Sequence, residues 1–355
     1  MQAALMYDKE DLRVLDIETP TINANEILVK TANASICGTD LRMYRNGYRG
    51  ITKSTPLITG HEMSGEIVAI GKNVAEISDA NGMHYSEGMR VAIAPNMGCG
   101  ICDQCVSGHT HLCPDYMALG INMNGAFAQY FKVPGKAVRQ GNISVLPDDL
   151  SYEEASLAEP LSCVLNGFER TRIQPGDAVL ILGAGPIGLM HAMMLQSAGA
   201  GMVLVNDVNE KRLKAAKELN SGLTTVESSG MKEKVMDLTR GKGVEVCITA
   251  NASPQAQIIA LELTAINGSV IYFGGIPGDA DLSGINTNLI HYRQLWVTGT
   301  TRQSIIQFRK TLNMISKGLI DVRKLITHRH RLDQINDAFD MALRGEGMKH
   351  TIFFE

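Results

Sequence analysis

Four of the chain's seven cysteines lie in one short stretch, "CGICDQCVSGHTHLC". Cys99, Cys102, Cys105 and Cys113 follow the pattern C-x2-C-x2-C-x7-C. Gaps this short let four sulfurs converge on one point, and four thiolates around a d¹⁰ cation make a closed tetrahedral site. Two other uses of such thiols compete. Disulfides need an oxidising compartment, and the N-terminus "MQAALMYDKEDLRVLD" meets acidic residues at once, without the apolar run of a secretory leader. Bacterial ferredoxin-type iron–sulfur runs share the two-residue gaps but close with a shorter last gap before a proline. Pro114 is present here, but the gap is too long. The spacing therefore predicts a structural zinc site. With four protein ligands it has no open position, so the chemistry belongs elsewhere. His109 and His111 are expected at the surface, since four sulfurs already complete the coordination.

A second constellation is the glycine turn in "AVLILGAGPIGLMHAMMLQSAGA". A short apolar strand reaches Gly183-x-Gly185-x-x-Gly188, and a Leu- and Met-rich helix follows. Such glycines serve a tight turn, close approach of backbone to a pyrophosphate, and close packing of helix on strand. The helix N-terminus offers its free amides to the phosphates. A second strand, "MVLVN", runs into Asp207, about 20 positions on, where a ribose-binding carboxylate is expected. "VEVCITA" (244–250), a helix from about 255 to 266 and "SVIYFGG" (269–275) continue the alternation that marks a doubly wound parallel sheet. The methionines of the helix read as core, and Cys163 and Cys247 as buried free thiols.

The elements that hold these motifs must be divided between two domains, because 355 residues exceed what one hydrophobic core usually covers. Hydrophobic residues make up 45% and charged residues 20%, an ordinary globular balance. A net charge of −4 and the lack of any long basic run give no electrostatic reason to expect a nucleic-acid partner. The uncharged stretch from Ala178 to Asn206 is long enough to span a bilayer. Its glycines, Pro186 and His191 interrupt it where turns fall, so it reads as strand, turn, buried helix, strand, and a cytoplasmic location is expected.

The N-terminal third carries "SICGTDLRMY" (35–44) and "ITGHEMSGEIVAIG" (58–71), and "LAEPLSCV" (157–164) precedes the nucleotide unit. Cys37, His61, Glu62 and Glu159 are a thiol, an imidazole and two carboxylates. Singly each has an ordinary explanation, and their spacing does not show that they converge. Taken with "GHE", the four-cysteine lobe, "GAGPIG" and the C-terminal "LITHRHRLDQINDAFDMALRGEGMKH", in that order, the whole chain resembles the zinc-dependent medium-chain alcohol dehydrogenases. It is most similar to the branch of sorbitol and other polyol dehydrogenases and L-threonine dehydrogenase.

The resemblance implies an α/β protein: a GroES-like, mostly-β catalytic domain (1–153, with the zinc lobe at 95–114), a doubly wound Rossmann domain (154–295) and a C-terminal return to the catalytic domain (296–355). It implies one catalytic and one structural zinc per subunit, NAD as coenzyme, and a homo-oligomer, dimer or tetramer. Cys37 and His61 match catalytic zinc ligands. Glu62 or Glu159 matches a further ligand, the other carboxylate reaching the metal through water. Thr39 matches the hydroxyl that passes the substrate proton onward, although a turn-capping role would also suit "CGTD". Asp40 matches a carboxylate that orients the zinc-bound histidine. Cofactor contacts carry over to Gly183, Gly185, Ile187, Gly188, Asp207, Arg212, the Gly274–Gly275–Ile276 turn, Thr300 and Thr301, and to Arg302 near the active-site carboxylates. A zinc with an open position lowers the pKa of bound water to about 7, and an alcohol should respond in the same direction.

The expected activity is hydride transfer between NAD and a polyol, sugar alcohol or secondary alcohol, with L-threonine 3-dehydrogenase as the alternative. A non-catalytic nucleotide-binding redox sensor is the reading from another class, and loss of a zinc ligand would favour it. Two departures from the family stand out. Many relatives have histidine three positions after the relay hydroxyl, where this chain has Arg42, which cannot deprotonate. Its guanidinium suits an anionic substrate such as a sugar-alcohol phosphate, or the cofactor pyrophosphate. The segment 76–89 is expected as a surface insertion.

Overall fold

The computed structural model describes residues 1–355 as two compact units, residues 1–162 with 302–355, and residues 163–301. The first unit is built on a seven-stranded sheet whose central strands are Glu62–Ile70, Ile27–Ser35 and Lys349–Phe353. Ile27–Ser35 pairs antiparallel with Glu62–Ile70 on one side, placing Ser35 opposite Glu62, and with Lys349–Phe353 on the other, placing Ser35 opposite Thr351. The last strand also runs parallel to Ile326–Arg331, so the end of the chain is sewn into the sheet it left. A helix from the same return, Ile335–Leu343, sends Phe339 between Tyr44 and Phe127, with ring centroids 5.4 and 6.1 Å away in edge-on packing. Truncating a buried phenylalanine of this kind costs about 3–5 kcal/mol, so the return is part of the core.

The second unit is a six-stranded sheet in the order Thr224–Glu227, Met202–Asp207, Ala178–Leu182, Val244–Thr249, Thr264–Tyr272, Trp296–Gly299, every pair parallel. In order of appearance this is 3-2-1-4-5-6, the arrangement whose crevice lies where the first strand meets the fourth. The central strands read "VLIL" and "VLV", apolar throughout, because helices cover both faces. The helix Pro186–Ser197 buries Met190, Met194 and Leu195, as its composition predicts. None of the helices is long and apolar enough to cross a membrane.

Several local expectations need correction. Trp296–Gly299 pairs with Thr264–Tyr272 as the sixth strand of the nucleotide sheet, so the return begins at 302 rather than 296. The first unit extends to Ser162, because the helix Ala158–Phe168 begins inside it. The helix expected at 255–266 is Pro254–Leu263, and Thr264 already begins the next strand. Cys247 is buried, whereas Cys163 is half-buried. The 76–89 segment is mostly exposed, as an insertion should be, but Tyr85 anchors it in the core and donates to the Ile143 carbonyl at 3.3 Å. Asp79 closes its tip by accepting from the Asn81 and Met83 amides.

Candidate active site

The four cysteine sulfurs converge, all lying within 4.8 Å of one another. A tetrahedral ion with bonds of about 2.3 Å would set its sulfurs about 3.8 Å apart. Cys99 and Cys105 are 4.0 Å apart, and Cys102 and Cys113 are 3.7 Å apart, so the donor set fits zinc. Gly98 is required beside them, since a side chain there would collide with the Cys105 sulfur. Backbone amides of Ile101 and Cys102 draw the Cys99 thiol down to about 6, while burial pushes Cys105 up to about 12. His109 is exposed as expected. His111 is not: it is buried, and its carbonyl accepts from Arg302 at 2.8 Å. Arg302 also lies flat over the Tyr116 ring, 3.7 Å from its centroid, which ties it to the lobe.

The second cluster is assembled from separate strands and loops. Cys37 precedes the helix Gly38–Asn46, and His61 and Glu62 stand at the start of Glu62–Ile70. The Cys37 sulfur, a His61 ring nitrogen and a Glu62 carboxylate oxygen all lie within 4.8 Å of one another. Asp40, fully buried, joins the two segments. It accepts from the Cys37 amide at 2.9 Å and the Gly60 amide at 3.4 Å, and lies 3.4 Å from His61 Nδ1. The contact is an ion-pair distance, not a hydrogen bond, and it sets the Asp40 carboxylate beside the ring. Burial works to lower the His61 imidazole, but Asp40 and Cys37 outweigh it and hold it well above its ordinary value. Gly60 has φ +91°, and a side chain there would meet the Phe127 ring at 2.8 Å, so only glycine lets the backbone turn into His61.

Glu159 is also buried, from the first turn of Ala158–Phe168. Burial pushes its carboxyl up to about 7, with His61, Glu62, Lys349 and Gln303 as its electrostatic neighbours. It is not part of the three-ligand set, which joins Glu62 with Cys37 and His61. Thr39 is half-buried in the first helical turn, where Arg42 Nη2 donates to its hydroxyl at 3.3 Å. Cys37, not Thr39, occupies the cap position of that helix. Sequence reasoning missed Lys349 and Ser35, which both donate to Glu62. No motif marks them, because strand register alone brings them there.

In the second unit, Gly183 adopts φ +124° at the end of Ala178–Leu182, and a side chain on Gly188 would strike the Gly183 carbonyl. Gly185 caps the following helix and has open space around it, as a phosphate-binding turn requires. Ile187 lies half-buried in the helix's first turn. Asp207 accepts from the Ala184 amide at 2.8 Å and the Asn209 amide at 2.9 Å, with Arg212 4.0 Å away. The Gly274–Ile276 turn, Thr300 and Thr301 follow the C-terminal ends of their strands, at the same edge of the sheet. The donors and the open turn fit a dinucleotide.

Residues 23–143 match the alcohol dehydrogenase GroES-like domain, and residues 186–317 match the zinc-binding dehydrogenase domain. The chain belongs to the zinc-dependent medium-chain alcohol dehydrogenases. Within that family it is 33% identical to sorbitol dehydrogenase of Bacillus subtilis (strain 168), over 97% of this chain and 94% of that one. It is 32% identical to L-threonine 3-dehydrogenase of Colwellia psychrerythraea, over 94% and 93% of the two chains. A crystal structure of 2R,3R-butanediol dehydrogenase from Bacillus subtilis matches with a TM-score of 0.86 at 26% identity, covering 100% of this dehydrogenase and 99% of that chain. The similarity places this dehydrogenase in the polyol and threonine branch.

Proposed function

We infer that this protein is a zinc-dependent dehydrogenase that moves a hydride between a polyol or secondary alcohol and NAD. The observation that carries this reading is the convergence of Cys37, His61 and Glu62 within 4.8 Å, three protein donors that leave a coordination position open. Cys37, His61 and Glu62 would hold a zinc that polarises the substrate oxygen, and NAD would supply the acceptor for the hydride, which carries both electrons of the broken C–H bond. The chain's own residues supply the rest. Asp40 holds His61 and the Cys37 segment in register. Thr39 takes up the substrate hydroxyl proton and passes its own toward solvent, so the alcohol leaves as a carbonyl compound. Arg42, which cannot accept a proton, steadies the Thr39 oxygen. Glu159, buried beside the ligands, would reach the metal through a water.

Gly183 and Gly188 shape the turn that opens at Gly185 for the pyrophosphate, Asp207 takes the ribose hydroxyls, and the Gly274–Ile276 turn with Thr300 and Thr301 takes the nicotinamide half. The four-cysteine lobe holds a structural zinc, which reduced thiols in a cytoplasmic setting keep available. The exposed Trp296 and Tyr292 beside an edge strand favour a homo-oligomer. Similarity to threonine dehydrogenases makes L-threonine the second substrate to test.

The test is the initial rate of NADH formation over polyols, their phosphates, diols, threonine and simple secondary alcohols, with zinc measured per chain. Expected are two zincs, turnover of a polyol or diol, and at least about tenfold preference for NAD over NADP, because a carboxylate at the ribose repels a 2′-phosphate. One zinc per chain and no turnover on the whole panel would make the protein a nucleotide sensor instead.

A further inference from the structure

Glu62 is completely buried, and its surroundings treat its two oxygens differently. Oε2 accepts from the Ser35 hydroxyl and from the Lys349 ammonium. Oε1 is buried without a hydrogen-bond donor. Lys349 is itself buried, and its ammonium also donates to the Ile36 carbonyl at 2.8 Å. The three residues meet because three neighbouring strands carry them: Ser35 ends one, Glu62 starts the next, and Lys349 starts the strand on the other side. A buried lysine is expensive unless it is paired, and here its partner is a ligand candidate.

We propose that Lys349 is a positioning residue that shares Glu62 with the catalytic zinc. The ammonium and the Ser35 hydroxyl hold Oε2, which would leave Oε1 for the metal, with part of the carboxylate's negative charge already countered. This rests on the reading of Cys37, His61 and Glu62 as ligands. Cys37, Asp40, Glu62 and Glu159 crowd anionic or potentially anionic groups around one imidazole, and Lys349 is the cation paired with Glu62 and within electrostatic reach of Glu159. The more charge a carboxylate delivers to a metal, the weaker the metal's pull on a substrate hydroxyl. Lys349 therefore keeps the site electrophilic.

The proposal is tested with Lys349→Met, Lys349→Arg, Ser35→Ala, Glu62→Gln and the Glu62→Gln/Lys349→Met double variant. The readouts are zinc per chain, the kcat–pH profile and the visible spectrum of enzyme with cobalt exchanged into the catalytic site. Lys349→Met should keep both zincs, move the rising limb of the profile up by about one pH unit and change the cobalt bands. Lys349→Arg should resemble wild type, and Ser35→Ala should shift in the same direction by less. In the Glu62→Gln background, Lys349→Met should add no further shift, because its route is through Glu62. An unshifted profile and spectrum in a folded Lys349→Met enzyme overturn the proposal, as does an equal shift in the Glu62→Gln background. If Lys349→Met does not fold, an unchanged profile and spectrum in Ser35→Ala overturn it. Wild type with zinc only in the cysteine lobe overturns the ligand reading, and the proposal with it.

Discussion

The two clusters of the first unit are built in opposite ways. The cysteine lobe takes all its donors from residues 99–113, and its sulfurs converge through short turns and backbone amides. The Cys37–His61–Glu62 set takes its donors from a helix start and a strand start. It is held by Asp40 between segments and by Lys349 from the far end of the chain. Local construction with four sulfurs makes a closed site suited to stability. Long-range construction with three unlike donors leaves a position open, and it lets side chains remote in sequence tune what happens there.

Breaking one ligand in each cluster separates the two designs most sharply. Cys37→Ser should remove several kcal/mol of charge stabilisation, on the order of a thousandfold in kcat, while the folded protein still binds NAD by fluorescence titration. A variant retaining wild-type turnover would remove Cys37 from the site. Cys105→Ser should act the other way, lowering Tm by at least about 5 °C while activity per folded molecule changes little. Equal Tm with collapsed turnover would reverse the assignment of the lobes.

A smaller effect is expected one step out from the ligands. Asp40→Asn keeps the shape of the link between Cys37 and His61 but removes its charge. It should lower zinc affinity or turnover about 10- to 100-fold, read by metal competition with a chelator alongside kcat. No change in either measurement would make Asp40 a helix-capping residue only. The smallest effect belongs to Arg42. Its guanidinium is already engaged with the Thr39 hydroxyl, so Arg42→Leu should change kcat by less than about threefold for every alcohol, as exposed polar contacts do. A large rise in KM confined to phosphorylated polyols would support the anionic-substrate expectation instead.

Much of this was legible in the residue order wherever the determining contacts are local. The cysteine spacing, the glycine turn with Asp207, and the alternation of apolar strands with helices each place their own atoms within a few turns of backbone. His111 and Cys163 were misjudged because burial depends on what packs over a residue, which its neighbours in sequence do not specify. The return was placed too early because an apolar strand such as Trp296–Gly299 can join either sheet, and only pairing decides.

By itself the sequence determined the two-domain α/β class, the closed sulfur site and the dinucleotide turn, since short-range stereochemistry is enough for each. It left open which carboxylate joins Cys37 and His61, and it carried no sign of Lys349. The tertiary structure brings Glu62 within 4.8 Å of the Cys37 and His61 donors, and strand register sets Ser35 opposite Glu62 and brings the last strand alongside. Register is a property of hydrogen bonding between segments separated in sequence, by 27 residues for Ser35 and Glu62 and by 287 for Glu62 and Lys349, so no local pattern encodes it.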